Sequence, residues 1–396
     1  MPQQPVTALY IHFPFCRARC AYCDFNTYAG LDHLVPDYVE ALGVEAEHLA
    51  ALFSGPLATV YVGGGTPSLV PASSLAQVLD TCCTMFGLNP TAEISVEANP
   101  GTLTRAWLDT LRARGVNRLS LGAQSLNDAE LAMLGRIHRR ADVEAAVAAA
   151  RAAGFDNLSL DLIFGLPGQR LADWRAMLKS ALALTPDHLS LYALTLEEGT
   201  PLAGRVQRGD LPAPDADRAA DMYELADELL TAQGFAQYEI SNWCRPGFEC
   251  VHNLTCWRYQ PYLALGAGAH SFDGARRRWN VRSVPDYIKQ LSSATIPTTI
   301  GTDTWPSPAV EDGEMLSRAE QMGETMMLGL RLTREGVAEV GFRDRFGVSL
   351  DAAYPAALPE MVAAGLIRRD GGRVRLTRRG RLLGNRVFAR FLPEDS

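Results

Sequence analysis

Three cysteines within eight residues, Cys16, Cys20 and Cys23, have the spacing C-x3-C-x2-C and constrain this chain more than any other feature in it. Three thiolates fix three irons of a [4Fe-4S] cluster and leave the fourth iron open, whereas a structural zinc or iron–sulfur site closes its shell with a fourth protein ligand. No other Cys or His stands at a usual fourth-ligand spacing, so a closed zinc site is not expected. The cysteines follow directly on an apolar, strand-like run, Tyr10-Ile11-His12-Phe13-Pro14-Phe15. Residues 1–10 carry neither the basic start of a signal peptide nor the length of a spanning helix. A cytoplasmic setting with reduced thiols is therefore expected for the eight cysteines.

The first half of the chain repeats a scaffold on which such a loop can sit. Apolar, β-rich runs recur at residues 7–13, 59–63, 93–97, 117–122, 157–163 and 188–193, and helix-period segments lie between them at 36–52, 73–86, 105–114, 142–153 and 171–184. Alternating strand and helix implies parallel β/α units. Six units are too few for an eight-stranded barrel, so residues 1–200 predict an α/β fold, a partial (β/α)6 barrel with its site at the C-terminal strand ends. Residues 201–291 predict a covering segment: a Pro- and Asp-rich loop, a helix over 218–232, a short strand over 237–240, then loops. Residues 292–313, rich in Pro, Thr and Ser, predict a linker or lid. Residues 314–396 give three helices and a hairpin turning at Asp370-Gly371-Gly372, the order of a small winged-helix-like domain.

Chemistry-bearing residues cluster where strands end. Gly63-Gly64-Gly65-Thr66-Pro67 follows the second strand, and its glycines let the backbone approach a ligand with free N–H and C=O groups. An ionised Asp161 inside the apolar run Leu160-Asp161-Leu162 costs on the order of several kcal/mol unless paired, so a partner is expected, a ribose or Arg136. Cys82 and Cys83 fall within a helical pattern as core or boundary residues. Cys244, Cys250 and Cys256 lack a close C-x2-C pair and are read as buried thiols before an auxiliary metal site. The formal net charge of -8 argues against nucleic acid as the main partner. Nine arginines from Arg368 to Arg390 concentrate against few acids, which suits an acidic protein or an anionic membrane surface.

With these motifs in place the chain resembles the radical-SAM superfamily, and within it the branch of anaerobic coproporphyrinogen III oxidases and HemW haem chaperones. The resemblance covers nearly the whole chain. It implies that S-adenosylmethionine chelates the open iron through its amine and carboxylate, and that one electron from the reduced cluster can cleave it to a 5′-deoxyadenosyl radical. Carried over residue by residue, it implies that Gly64, Gly65 and Thr66 meet the methionine moiety. Tyr10 is the aromatic beside the cluster, and Glu97, Gln124, Arg136 and Asp161 are the remaining cofactor contacts. Phe164-Gly165-Leu166-Pro167-Gly168-Gln169 matches the branch as well.

Two departures separate the members of that branch. Coproporphyrinogen oxidases carry a fourth cysteine two residues after the third and a longer N-terminal arm; this chain has Phe25 there and fifteen residues before Cys16. Both are similar to the HemW side, which implies haem as a further cofactor and an acceptor apo-haemoprotein as partner, peripherally at a membrane. His252-Asn253-Leu254-Thr255-Cys256-Trp257 resembles the H-N-x-x-Y-W stretch tied to haem, with Cys256 in place of the tyrosine. His252 and Cys256 are thus the candidate haem ligands, against the plainer reading of a hydrogen-bonded brace. Gly266-Ala267-Gly268-Ala269-His270-Ser271 resembles another branch segment whose small residues admit a flat macrocycle, and Arg276, Arg277 and Arg278 could meet propionates. The resemblance leaves a coproporphyrinogen oxidase or a haem-opening radical-SAM methylase as the competing enzyme readings, and no residue is singled out as catalytic.

Overall fold

The computed structural model describes residues 6–50, 55–292 and 307–393. Six parallel strands run in chain order across its main sheet: β1 (Ala8–Phe13), β2 (Leu57–Gly64), β3 (Leu88–Ala98), β4 (Arg118–Gln124), β5 (Asn157–Phe164) and β6 (His188–Ala193). The sheet has nine strands, because the segment expected to be a cover also supplies three. β7 (Ala236–Glu239) and β8 (Asn242–Cys244) extend it antiparallel beyond β6, and β9 (Leu263–Leu265) pairs parallel with β1.

The strands differ from ordinary buried parallel strands, which read as continuous apolar runs. Leu9, Ile11, Val60, Val62, Leu119, Leu121, Leu158 and Leu160 are buried in the large core under the helices. The intervening residues are polar and stand side by side across the sheet: Tyr10 beside Tyr61, Tyr61 beside Ser95, Ser95 beside Arg118, and Asp161 beside Ser190. Successive side chains on a strand face opposite ways, so this alternation builds an apolar outer face and a polar lumen.

One end of the lumen is stoppered by α1, our label for the helix Val251–Trp257. Its start is fixed from far away, since the Glu93 carboxylate accepts from the Val251 and His252 amides at 2.9 and 3.2 Å. The stretch to residue 280 is therefore less loop-rich than expected, and the His252 motif is helical. A second long-range clamp centres on Glu45, fully buried, which accepts from Tyr287, Ser307, Asn280 and the Gly266 amide.

A small antiparallel sheet, β10 (His270–Phe272), β11 (Arg276–Asn280) and β12 (Val310–Met315), follows. Most of the expected lid, residues 293–306, lies outside the described residues, and its last part is the start of β12. The C-terminal unit has its own core around Met326, Leu330, Phe342 and Phe346. Its hairpin, Ile367–Asp370 and Arg373–Leu376, turns through Gly371 and Gly372, both left-handed at φ 54° and 71°, as a two-residue turn between twisted strands requires. Arg331 lies 4.4 Å over the Trp257 ring and Arg258 pairs with Glu335, which docks this unit on α1.

Candidate active site

At the C-terminal ends of the strands lies a cavity of about 490 Å³. Its walls include all three cysteines of the loop and seven of the eight expected cofactor residues: Gly64, Gly65, Thr66, Glu97, Gln124, Arg136 and Asp161. Tyr10 is not among them. Its hydroxyl bonds His12 Nδ1 at 2.9 Å, and its ring stacks beside Tyr61 within the lumen.

The cysteine loop is shaped by close backbone contacts. A Cβ on Gly65 would stand 2.5 Å from the Phe15 carbonyl oxygen and 2.9 Å from Cys16 Sγ, so only glycine fits where the second strand's loop passes the first. Gly64, at φ 116°, would clash with the His12 ring in the same way. Arg136 Nη1 donates to Cys20 Sγ at 3.3 Å and Nη2 to the Gly122 carbonyl at 2.7 Å, while Thr66 lies 3.6 Å from Cys16 Sγ. All three thiols are free. Among the described residues no three Cys, His, Asp or Glu side chains converge on one metal ion. Away from this loop, Cys250 Sγ donates to Glu93 at 3.5 Å.

Among the described residues, the acids of the cavity are held without a neutralising cation in contact. Glu97 accepts from Tyr61 at 2.8 Å and from the Gly64 amide at 3.2 Å. Burial, reinforced by the nearby Asp161 charge, pushes its carboxyl up to about 7. Asp161 is also raised by burial, and its hydrogen bonds come from Ser120, Ser159 and Ser190. The expected pairing with Arg136 does not form, because that guanidinium is taken by Cys20 and Gly122. The cation acting on Asp161 is Arg118, fully inside the lumen, with Nε and Nη1 lacking a hydrogen-bond partner among the described residues. The sequence carried a signal for it: in Arg118-Leu119-Ser120-Leu121 the arginine shares the inward face with Ser120. A cationic amine and sulfonium beside raised carboxylates, with free thiols opposite, is the chemistry this cavity would accept from S-adenosylmethionine. Gln124 sits at φ 64°, a left-handed conformation that a non-glycine residue holds only under local constraint.

His252 and Cys256 are not brought to this cavity. His252 is 5% exposed at the stoppered end, bonds Thr59 Oγ1 at 2.9 Å, and stacks 5.1 Å from Tyr61. Burial pushes its imidazole down to about 3 and the Cys256 thiol up to about 12. Both are thus neutral at physiological pH; His252 is enclosed and held like a brace, whereas Cys256 is half-buried. The C-terminal arginines are likewise largely engaged: Arg369 with Glu339 and Asp351, Arg375 with Asp370, Arg378 with Glu224 and Glu228, Arg390 with Glu360. The basic surface read from composition is in good part neutralised.

Comparison with known proteins agrees with this geometry. Residues 10–181 match the model of the radical SAM superfamily, and residues 316–383 that of the HemN C-terminal domain. The chain is 43% identical over 396 residues to the heme chaperone HemW of Mycobacterium tuberculosis, covering 99% of this chain and 96% of that one. It is 39% identical to the heme chaperone HemW of Bacillus subtilis, covering 97% and 99%. Among solved structures, the radical-SAM coproporphyrinogen III oxidase HemN of Escherichia coli superposes with a TM-score of 0.82 at 25% identity, over 99% of this chain and 91% of that one.

Proposed function

This chain belongs to the radical-SAM superfamily and, within it, to the HemW family, and from that membership we propose that it is a haem chaperone: it binds haem and hands it to an acceptor apo-haemoprotein. Cys16, Cys20 and Cys23 would hold a [4Fe-4S] cluster, with Arg136 offsetting thiolate charge at Cys20. Gly64, Gly65 and Thr66 would meet the methionine end of S-adenosylmethionine, and Glu97 and Asp161 would receive its cationic and hydroxyl groups. Once bound, the pair supplies a site of one-electron chemistry, and the walls exclude water around it.

The observation that carries the chaperone reading over an oxidase is Phe25. It occupies the place of the fourth cysteine at the cavity rim and is 65% exposed, an apolar surface where the oxidases keep a thiol. Among the described residues no helix is long and apolar enough to cross a membrane, so delivery to a membrane acceptor would be peripheral. The test is anaerobic: cluster-reconstituted protein is titrated with haemin, then mixed with an apo-haemoprotein whose activity needs haem. Saturable one-to-one binding followed by restored acceptor activity is expected. Conversion of coproporphyrinogen to protoporphyrinogen under the same conditions would replace this reading with the oxidase.

A further inference from the structure

We infer that a second cavity, on the outer side of the barrel between the helix Ala216–Ala232 and the C-terminal unit, binds a small amphiphilic monocarboxylate. This site lies beyond the chaperone reading and stands or falls without it.

The amino-acid order leaves the space. Phe164 and Leu191 stand on the apolar outer face of β5 and β6, in step with Leu160 and Leu189. The helix Ala216–Ala232 packs beside them, with its Tyr223 ring 6.4 Å from Phe164 and 5.5 Å from Trp243 of β8. Further along this helix Met222, Leu225 and Leu230 fill the large core. At its start the residues three or four apart on one face, Ala216, Ala219 and Ala220, carry only methyl groups. Gly165 faces them without a side chain, and a Cβ there would stand 3.3 Å from the Ala219 methyl. Helix and sheet layers normally interdigitate at near-crystalline density. Here the methyl groups leave a cavity of about 390 Å³, within the roughly 300–1,000 Å³ typical of small-molecule sites.

The polar end of the cavity is positive. Arg381, in the short helix Arg378–Leu382, has Nη1 bonded to Gln237 Oε1 at 2.6 Å and 3.9 Å from the Asp227 carboxylate. Its Nε is buried and has no hydrogen-bond partner among the described residues. Nε and Nη2 of a guanidinium form a parallel pair of donors, the edge that takes a carboxylate in bidentate fashion. A buried donor left unmade is destabilising, and a carboxylate on this edge satisfies it. Two other polar side chains of the wall are already engaged within the protein. Tyr223 donates to the Ile240 carbonyl at 2.9 Å and accepts from Gln237, and Asp215 accepts from the Arg218 amide at 3.0 Å and pairs with its guanidinium. One cationic edge at the end of an apolar chamber selects a single carboxylate on an aliphatic body, and discriminates against cations and sugars.

The site has a fixed relation to the rest of the molecule. Ala193 and Leu194, at the end of β6, line both this cavity and the cofactor cavity, so an occupant rests against the outside of the S-adenosylmethionine wall. Its apolar body meets the barrel at Phe164 and its carboxylate meets the C-terminal unit at Arg381, so binding bridges the two.

The experiment is a calorimetric titration of the full chain, cluster reconstituted, with sodium octanoate and with octan-1-ol as the uncharged control, comparing wild type, Arg381→Met and Ala220→Leu. Wild type should bind one octanoate saturably and octanol more weakly. Arg381→Met should weaken octanoate on the order of tenfold and leave octanol unchanged, because it removes the charge-assisted pair alone. Ala220→Leu, which fills the chamber from the opposite wall without touching Arg381, should abolish binding of both. Cluster iron content equal to wild type reports folding, and either variant alone decides the question. Saturating S-adenosylmethionine should not displace octanoate. Octanoate binding that survives both substitutions, that is displaced by S-adenosylmethionine, or that is no tighter than octanol would overturn the assignment, as would absence of saturable binding to wild type; each of these leaves the chaperone reading intact.

Discussion

The two ends of the barrel lumen are built from the same alternating strands and have opposite states. At the stoppered end Glu93 caps α1, His188 has both ring nitrogens bonded, and His252 is stacked and bonded to Thr59. At the open end Glu97 and Asp161 are raised by burial, three thiols are free, and Gln124 is held left-handed. Polar residues in a lumen are stabilising only when satisfied. The stoppered end spends its polar groups on each other, and the open end holds its buried acids with neutral hydroxyls and amides alone, beside free thiols, which leaves it ready for a cationic ligand.

The sharpest test of the contrast is all-or-none. Cys20→Ala should abolish cluster assembly, measured as bound iron and sulfide, and leave the unfolding free energy of the metal-free chain within about 0.5 kcal/mol of wild type, because its side chain supports no packing core. Unfolding of the metal-free variant under native conditions would show that the open end is also structural.

His252→Ala should do the reverse. It removes a buried ring and leaves Thr59 Oγ1 without its partner, a loss of about 2–4 kcal/mol in denaturant unfolding, with iron content unchanged. The same residue sets a pH signature. Its folded pKa lies at about 3, below the unfolded 6.5, so the unfolded chain binds the proton first. Its contribution is fully present above 6.5 and falls by up to about 1.4 kcal/mol per pH unit as pH drops toward 3. The variant should therefore lose less stability than wild type between pH 7 and 5.

These two ends were unequally legible in the amino-acid order. The cysteine triad and the glycine loop are local spacings, and the six parallel strands announce themselves by a period of two, so their positions follow within a few residues: residues 59–63 for Leu57–Gly64, 188–193 for His188–Ala193. The stoppered end depends on long-range partners. Helix α1 is seven residues long and donates its first amides to Glu93, more than 150 positions earlier, so no local pattern marks it. β9 is three residues whose only warrant is β1. The need of Asp161 for a partner is legible in the sequence, but of the two partners it allows, a ribose or Arg136, the arginine does not pair; the hydrogen bonds come from serines on three different strands, which no local pattern marks.

A subtler test concerns the open end's instability. Glu97 titrates at about 7 in the folded chain and 4.5 as an ordinary carboxylate, so the folded state binds the proton more tightly. Its stabilising share is present below 4.5 and is lost as pH rises through 7. Glu97→Gln should therefore stabilise the cofactor-free chain by about 1–2 kcal/mol at pH 8, discounted because the group faces a cavity, and the gain should vanish near pH 4.5. S-adenosylmethionine binding to the reconstituted protein should weaken at the same time. A variant that is both no more stable and no weaker in binding would remove Glu97 from the ligand side of the contrast.

The smallest expected effect isolates the backbone. Gln124 leaves β4 at φ 64°, where its Nε2 comes within 3.1 Å of the space a Cβ on Gly122 would fill. Gln124→Gly relieves the left-handed strain, worth about 1 kcal/mol, and partly repays that in unfolded-state entropy, so the metal-free melting temperature should rise slightly or hold. If the strain exists only to aim the side chain into the cavity, this variant should bind S-adenosylmethionine more weakly without any loss of stability. Gln124→Asn, which tolerates the left-handed region and keeps a shorter amide, should fall between the two. A glycine variant that loses stability and keeps its affinity would place Gln124 with the braced residues of the other end.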